Sequence, residues 1–125
     1  MACDGTGDIL VVEDDADIRF MYHASLGPIA ARIEQAESLA QARSTLARFR
    51  PDAVILDLGL PDGNGAELLD DIPTEAAVIV ISAWPAREIE RALTDRRSVF
   101  AHLPKPFSPN ILKDIVRVAL REAHV

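Results

Sequence analysis

Five charged or hydroxyl side chains lie at the ends of apolar runs in this sequence. Glu13 and Asp14 follow DILVV, Asp57 follows AVIL, Ser82 ends AAVIVIS, and Lys105 lies in LPKPF. Three carboxylates held close together repel one another, and a divalent cation relieves that repulsion. An ammonium group and a hydroxyl compensate negative charge on a bound oxyanion. These residue types therefore indicate a metal-binding acidic site with a positive charge beside it.

Strands must present these side chains. Continuous apolar runs predict strands buried on both faces at residues 8–12, 53–58 and 76–82. Alternating small and polar residues predict a half-exposed edge strand at 31–36, and a shorter strand is expected at 99–103. Gly59, Pro61 and Gly63 follow the third run and break it into turns. Asp57 is therefore expected at the end of a rigid strand, facing solvent.

Helices are expected between the strands. Apolar stripes predict helices at 15–26, at about 38–50 and at about 64–71, with two more beginning near Pro85 and at Pro109. Ser38 with Gln41 predicts a capping box, and Ser108 is expected to cap the last helix. Five strands therefore alternate with five helices.

This alternation predicts the fold class. We expect an α/β fold with a doubly wound, five-stranded parallel sheet between two helical layers. The edge character of the second and fifth strands favours the order 2-1-3-4-5. Ligands of such sheets bind beyond the carboxyl ends of the strands, between the first and third. The five polar side chains are expected to converge there.

Composition limits the classes of function. The 125 residues suit one domain, which we expect at 8–123 after a flexible segment at 1–7. No apolar run approaches the ~20 residues that span a bilayer, and the N-terminus lacks the features of a secretory signal, so we expect a cytoplasmic protein with no membrane contact. A net charge of −7 argues against binding nucleic acid through this domain. Cys3 is the single cysteine, so no internal disulfide is expected.

The motifs VVEDD, ILDLGLPDGNG, VISA and LPKPF together resemble the receiver domain of two-component response regulators, over essentially the whole chain. The resemblance implies a flavodoxin-like fold with Asp57 as phosphoacceptor, Glu13 and Asp14 as the acidic pair, Ser82 as the hydroxyl residue and Lys105 as the phosphate-facing lysine. The implied phosphoryl donor is a sensor histidine kinase or a histidine phosphotransfer protein. Such a domain is not an enzyme beyond its own phosphorylation and dephosphorylation.

Magnesium is the expected ion, because it is hard and prefers oxygen ligands. Asp14 and Asp57 are expected to bind Mg²⁺ directly, with the backbone carbonyl of Gly59 as third ligand and Glu13 acting through water. The resemblance also implies a cis peptide bond before Pro106. It further implies that a downstream target or attached domain reads the signal on a face at about residues 87–122.

Three features depart from the family pattern. His102 replaces the Tyr or Phe that accompanies the hydroxyl residue Ser82 as a switch; it is either a polar switch or a half-exposed strand residue, and Phe100 could substitute for it. Trp84 either shields the acyl phosphate, controlling its lifetime together with Gly59, or packs on the next helix. The link between Gly65 and Ala76 is short, which predicts a trimmed third helix.

Three other functions compete with a phosphoacceptor role. A haloacid dehalogenase-type phosphatase would use Asp15 as nucleophile, but Arg19 occupies a position where that motif has Thr or Val. A calcium loop beginning at Asp57 lacks the required Gly at the sixth position and Glu at the twelfth. The remaining alternative is a pseudo-receiver, a binding module that keeps the fold and signals without phosphate.

Overall fold

Three apolar runs form the centre of a parallel sheet. The structure is a computed structural model that describes residues 7–123, and in it β1 (Gly7–Val12), β3 (Ala53–Asp57) and β6 (Ala77–Ser82) are almost entirely buried. Their Val, Ile and Leu side chains suit strands that are covered on both faces. The third run ends its strand at Asp57, one residue earlier than predicted, and the first begins one residue before the predicted domain boundary at 8. Residues 1–6, most of the predicted flexible segment and Cys3 among them, lie outside the described residues.

Two half-exposed strands complete the sheet. They are β2 (Ala30–Ala36) and β7 (Ala101–Pro104), which lie at its two edges. The sheet has the order β2-β1-β3-β6-β7, with every pair parallel. A two-residue hairpin of β4 (Gly59–Leu60) and β5 (Gly63–Asn64) stands apart from it. The sheet strands thus have the predicted order 2-1-3-4-5, but β7 begins two residues later than predicted, so that Phe100 precedes it.

The helices differ more from the prediction. The described part of the chain contains four α-helices, at Ala16–Leu26 (α1), Leu39–Leu46 (α2), Ala86–Leu93 (α3) and Pro109–Ala123 (α4). The predicted short third helix is present at Gly65–Asp71, but it is a 3-10 helix and not an α-helix. A 3-10 helix rises about 2.0 Å per residue against about 1.5 Å for an α-helix, which helps a short link reach β6.

Helix α2 ends four residues before Arg50, where the prediction ended it. The N–H of Arg48 donates to the carbonyl of Thr45 at 3.0 Å, which closes a tight final turn. Phe49 then packs into the core, with the guanidinium carbon of Arg32 5.0 Å from its ring centroid. The capping box is also only partly formed. Ser38 caps Gln41 as expected, but the Gln41 side chain accepts from the N–H of Glu37.

Alternation along the strands divides the core between the two sheet faces. On one face, Ile9, Val11 and Ile55 pack with residues of α1 and α4. On the other, residues of α2, the 3-10 helix and α3 pack against a second set of strand side chains, which includes Leu10, Val12, Val54, Leu56, Val78 and Val80. The result is the predicted three-layer arrangement. Among residues 7–123 no helix combines the length and apolar character needed to cross a bilayer.

Candidate functional site

Three carboxylates meet at the carboxyl ends of β1 and β3. Glu13, Asp14 and Asp57 each offer an oxygen, and these oxygens all lie within 4.8 Å of one another. Glu13 and Asp57 are buried, with 1% and 6% of their surfaces exposed, whereas Asp14 is exposed. The prediction that Asp57 faces solvent is therefore wrong, because Lys105 and the chain after Asp57 cover its carboxylate. Carboxylate oxygens at this spacing suit a hard divalent cation, and the exposed Asp14 leaves the cluster open to solvent. The residues present therefore fit a metal site.

Lys105 joins the two buried carboxylates. Its Nζ lies 2.9 Å from Glu13 Oε1 and 3.2 Å from Asp57 Oδ2. The backbone N–H of Lys105 donates to the carbonyl of Ser82 at 2.9 Å, and the Lys105–Pro106 peptide bond is cis. Two segments that are 92 positions apart in sequence are thus connected through one ammonium group.

Burial and charge shift the pKa values of this cluster. Burial raises the pKa of Glu13 to about 7, and the negative charge of Asp57 adds to this effect, although the hydrogen bond from Lys105 opposes it. Burial alone would lower the pKa of Lys105, but its hydrogen bond to Glu13 and the charges of Asp57 and Glu13 raise it. When all three carboxylates of the cluster are ionised, the single ammonium group of Lys105 leaves excess negative charge, which favours binding of a further cation.

The chain after Asp57 passes close to the phosphoacceptor candidate. The N–H of Gly59 donates to Asp57 Oδ1 at 3.1 Å, and the N–H of Gly65 donates to the carbonyl of Leu58 at 2.8 Å. A Cβ on Gly65 would lie 2.2 Å from the carbonyl oxygen of Asp57. Only glycine fits at this approach, so Gly65 fixes the path of the backbone around Asp57.

Ser82 and Trp84 form the side of the site at the end of β6. Ser82 is fully buried, and its Oγ accepts the N–H of Trp84 at 3.0 Å. The half-buried indole packs against the core, and its Nε1 lies 3.5 Å from where a Cβ on Gly59 would stand. The Trp84 ring therefore adjoins the loop that follows Asp57.

The response regulator receiver domain family matches residues 9–117 of this chain. The chain belongs to the response regulator receiver domain family. The predicted family, the fold and the broad function, a receiver domain of two-component signalling, are thereby confirmed.

This receiver domain is 38% identical over 116 residues to the KDP operon transcriptional regulatory protein KdpE of Escherichia coli, an alignment that covers 91% of this chain. The chain spans about half of the length of KdpE, 51%. The signal receiver domain of an HD domain-containing protein from Pseudomonas fluorescens has a TM-score of 0.85 at 25% identity, covering 94% of this chain and 96% of that one. A CheY-like receiver domain protein from Methanospirillum hungatei has a TM-score of 0.85 at 22% identity, covering 94% and 95%, and supports the fold.

Two residues singled out in the sequence, His102 and Phe100, lie on or beside β7 at the edge of the sheet, whereas Asp15 adjoins the acidic cluster of the receiver domain, because its backbone N–H donates to Glu13 Oε2 at 3.2 Å. His102 is exposed on β7, and Phe100, which is 42% exposed, precedes that strand. Asp15 is the N-cap of α1, where its Oδ1 accepts the N–H groups of Asp17 and Ile18 at 2.9 and 3.2 Å. Asp15 thus serves as a helix cap, and the match of residues 9–117 to the receiver family favours this role over that of a dehalogenase-type nucleophile.

Two residues with hydrogen bonds beside the site of the receiver domain were not predicted from the sequence. Arg19 donates from Nη1 to the carbonyl of Glu13 at 2.8 Å, and Asp62 accepts two N–H groups from the start of α2. Arg19 lies one turn into a helix that follows an acidic segment, which is a weak local signal. Asp62 reads locally as a turn residue, and its partners are more than 20 positions away.

Proposed function

We propose that Asp57 accepts a phosphoryl group from a phosphohistidine of a sensor histidine kinase or a histidine phosphotransfer protein. The observation that carries this proposal is the bridging of Glu13 and Asp57 by Lys105 within a cluster of three carboxylates. This arrangement holds the Asp57 carboxylate at the end of a rigid strand with a positive charge beside it. A carboxylate so placed is suited to act as a nucleophile.

In the proposed step, an Asp57 carboxylate oxygen attacks the phosphorus atom. The phosphorus–nitrogen bond of the donor breaks, its electron pair remains on the imidazole nitrogen, and an acyl phosphate forms on Asp57. Lys105 and Ser82 compensate charge on the phosphoryl oxygens. Ser82 Oγ already accepts the N–H of Trp84, so its hydroxyl hydrogen is available for donation. Hydrolysis of the acyl phosphate ends the signal, and we propose no turnover of any other substrate.

We propose Mg²⁺ as the cofactor. Asp14 and Asp57 would bind it directly, together with the backbone carbonyl of Gly59, and Glu13 would act through water. When bound, Mg²⁺ offsets the repulsion between the carboxylates and the incoming phosphoryl group. The closeness of the three carboxylates supports this proposal, and the chemistry of the oxygen donors favours a hard cation.

We propose that Ser82 and His102 report phosphorylation to the face formed by α3, β7 and α4. A downstream target or an attached domain would bind this face, residues 87–122. The similarity to the transcriptional regulatory protein KdpE supports such an output, because the chain matches only about half of KdpE, 51%. The exposed position of His102 lets its ring turn without leaving a buried site. We further propose that residues 8–123 form the receiver domain and that it acts in the cytoplasm, where a histidine kinase draws its phosphoryl group from ATP. The domain is proposed to contact neither nucleic acid nor membrane.

Trp84 and Gly59 are proposed to set the lifetime of the acyl phosphate. The indole adjoins the Gly59 loop, so it can restrict the approach of water to Asp57. Trp84→Ala is expected to speed the loss of phosphoryl label from Asp57 in the purified protein. An unchanged rate would contradict the shielding role.

Phosphorylation with phosphoramidate and Mg²⁺ tests the proposed function. The wild type and Asp15→Asn are expected to take up one phosphoryl group, detected by intact mass, and Asp57→Asn is expected to take up none. Uptake by Asp57→Asn at the wild-type rate would refute the assignment. A folded wild type that neither takes up phosphate nor changes its Trp84 fluorescence with Mg²⁺ and beryllofluoride would instead favour the pseudo-receiver.

A further inference from the structure

We propose that Asp62 is a positioning residue, which clamps the β4–β5 hairpin to the N-terminus of α2 and thereby holds the Gly59 and Asp57 segment in place for Mg²⁺. The inference rests on the proposed function, in which Gly59 and Asp57 are metal ligands. It concerns Asp62 itself, which lies outside the acidic cluster.

Asp62 makes two hydrogen bonds to a distant element. Oδ1 accepts the N–H of Leu39 at 2.8 Å, and Oδ2 accepts the N–H of Ala40 at 3.0 Å. Both N–H groups belong to the first turn of α2, where the helix itself provides no acceptor. These two bonds lower the pKa of the Asp62 carboxyl, with the Leu39 bond the larger cause. Both oxygens of the Asp62 carboxylate are therefore hydrogen-bonded, which fixes the orientation of the carboxylate as well as its position.

The hairpin is held closely at both ends. At the α2 end, Gly63 has φ of +151°, and a Cβ there would lie 2.8 Å from Leu39 Cδ1. At the other end, the N–H of Gly65 donates to the carbonyl of Leu58 at 2.8 Å. Between these points Gly59 pairs with Asn64 across the hairpin. Displacement of the Asp62 end would therefore shift Gly59 through its pairing partner.

The position of Gly59 matters because its N–H donates to Asp57 Oδ1 at 3.1 Å. Groups that orient the ligands of a metal affect its affinity although they do not touch it. The clamp joins the loop after β3 to the helix after β2, and β2 also accepts the N–H of Glu13 through the carbonyl of Ala36 at 3.0 Å. The acid after β1 and the loop after β3 are thus both hydrogen-bonded to the segment 36–40, at the end of β2 and the start of α2.

A merely structural role for Asp62, as a cap of α2, makes a different prediction. Ser38 caps the same helix, with its Oγ accepting the N–H of Gln41 at 3.1 Å, and makes no hydrogen bond to the hairpin. Ser38→Ala is therefore a matched control that weakens the N-terminus of α2 and leaves the clamp intact. If capping is all that Asp62 does, Asp62→Ala, like Ser38→Ala, will weaken the start of α2 without changing Mg²⁺ binding or the exchange of the Gly65 amide.

The test compares wild type, Asp62→Ala, Asp62→Asn and Ser38→Ala in the full chain. Two quantities are measured: the Kd for Mg²⁺ from Trp84 fluorescence or calorimetry, and the hydrogen-exchange rate of the Gly65 amide without metal. We expect Asp62→Ala to raise the Kd and the exchange rate about tenfold, near the lower end of losses for groups that orient metal ligands. Asp62→Asn keeps one acceptor oxygen and is expected to raise both about threefold, as the loss of one hydrogen bond predicts.

Ser38→Ala is expected to leave both quantities within about twofold of the wild type, since its hydrogen bond lies within α2. Equal losses in Ser38→Ala and Asp62→Ala, or no change in Asp62→Ala, would overturn the proposal. A wild type that binds no Mg²⁺ would refute the proposed metal site; the exchange rate of the Gly65 amide would then still decide whether Asp62 clamps the hairpin.

Discussion

Glu13 links the stability of the metal-free domain to pH. The pKa of Glu13 is raised from 4.5 to about 7 by burial, with the charge of Asp57 adding to the shift and the Lys105 hydrogen bond opposing it. Between these two values the folded protein retains a proton that the unfolded chain has released. Stability therefore falls as pH rises, because the folded state binds more protons there.

The structure gives the size of this effect. The difference between 4.5 and about 7 is about 2.5 pKa units, which corresponds to about 3 kcal/mol of unfolding free energy at about 1.36 kcal/mol per unit. The side chain of Glu13 is 1% exposed, so solvent screening does not reduce it much. The contribution is fully present below pH 4.5 and is lost as the pH passes through 7.

Glu13→Gln isolates this contribution. The glutamine side chain is neutral and keeps an oxygen that can accept a hydrogen bond from Lys105. The unfolding free energy of this variant should therefore lack the part of the pH dependence that Glu13 contributes. We propose urea unfolding of both proteins in the presence of a chelator, at several pH values from 4.5 to 8. The wild type is expected to lose about 3 kcal/mol relative to the variant over this range. Titrating groups that do not interact with Glu13 cancel in the difference.

Mg²⁺ provides a second measurement on the same proteins. Metal binding requires deprotonated carboxylates, so saturating Mg²⁺ should stabilise the wild type most at high pH and flatten its profile. Parallel profiles of wild type and Glu13→Gln without metal would refute the reasoning. They would mean that the ion pair with Lys105 outweighs burial and keeps Glu13 ionised.

Three further predictions concern stability measured by urea unfolding. Gly65→Ala should lower the unfolding free energy by more than about 2 kcal/mol and impair phosphorylation, because its Cβ would lie 2.2 Å from the Asp57 carbonyl oxygen. Gly59→Ala, whose Cβ would have its nearest neighbour at 3.5 Å, should lower it by less than about 1 kcal/mol, and equal losses would contradict the argument. Arg97→Ala should cost about 2 to 3 kcal/mol, because its guanidinium donates to four carbonyls in residues 72–76, and Arg97→Lys should recover only part; full recovery would refute the role of the planar group. Asp95→Gly should stabilise by about 0.5 to 1 kcal/mol, because φ at Asp95 is 63°, and a loss of stability would contradict this.

Local pattern predicted the sheet better than the helices. The continuous apolar runs that end at Asp57 and Ser82 indicate buried parallel strands without reference to other parts of the chain. The apolar spacing of the segment at 65–71 does not distinguish a 3-10 helix, which the structure has, from an α-helix. Its conformation depends on the short connection to β6 and on the close approach of Gly65 to Asp57, which are tertiary constraints.

By itself, the sequence determined which acids follow β1 and which acid ends β3, because strand period and turn residues are local properties. Only the tertiary structure decided that Lys105 lies between Glu13 and Asp57, that His102 is exposed, and that Asp62 reaches α2. Contacts across 92 or 23 positions depend on strand register and helix packing. Neither is encoded in the residues on one side of the contact, so these distances arise only when the whole core is assembled.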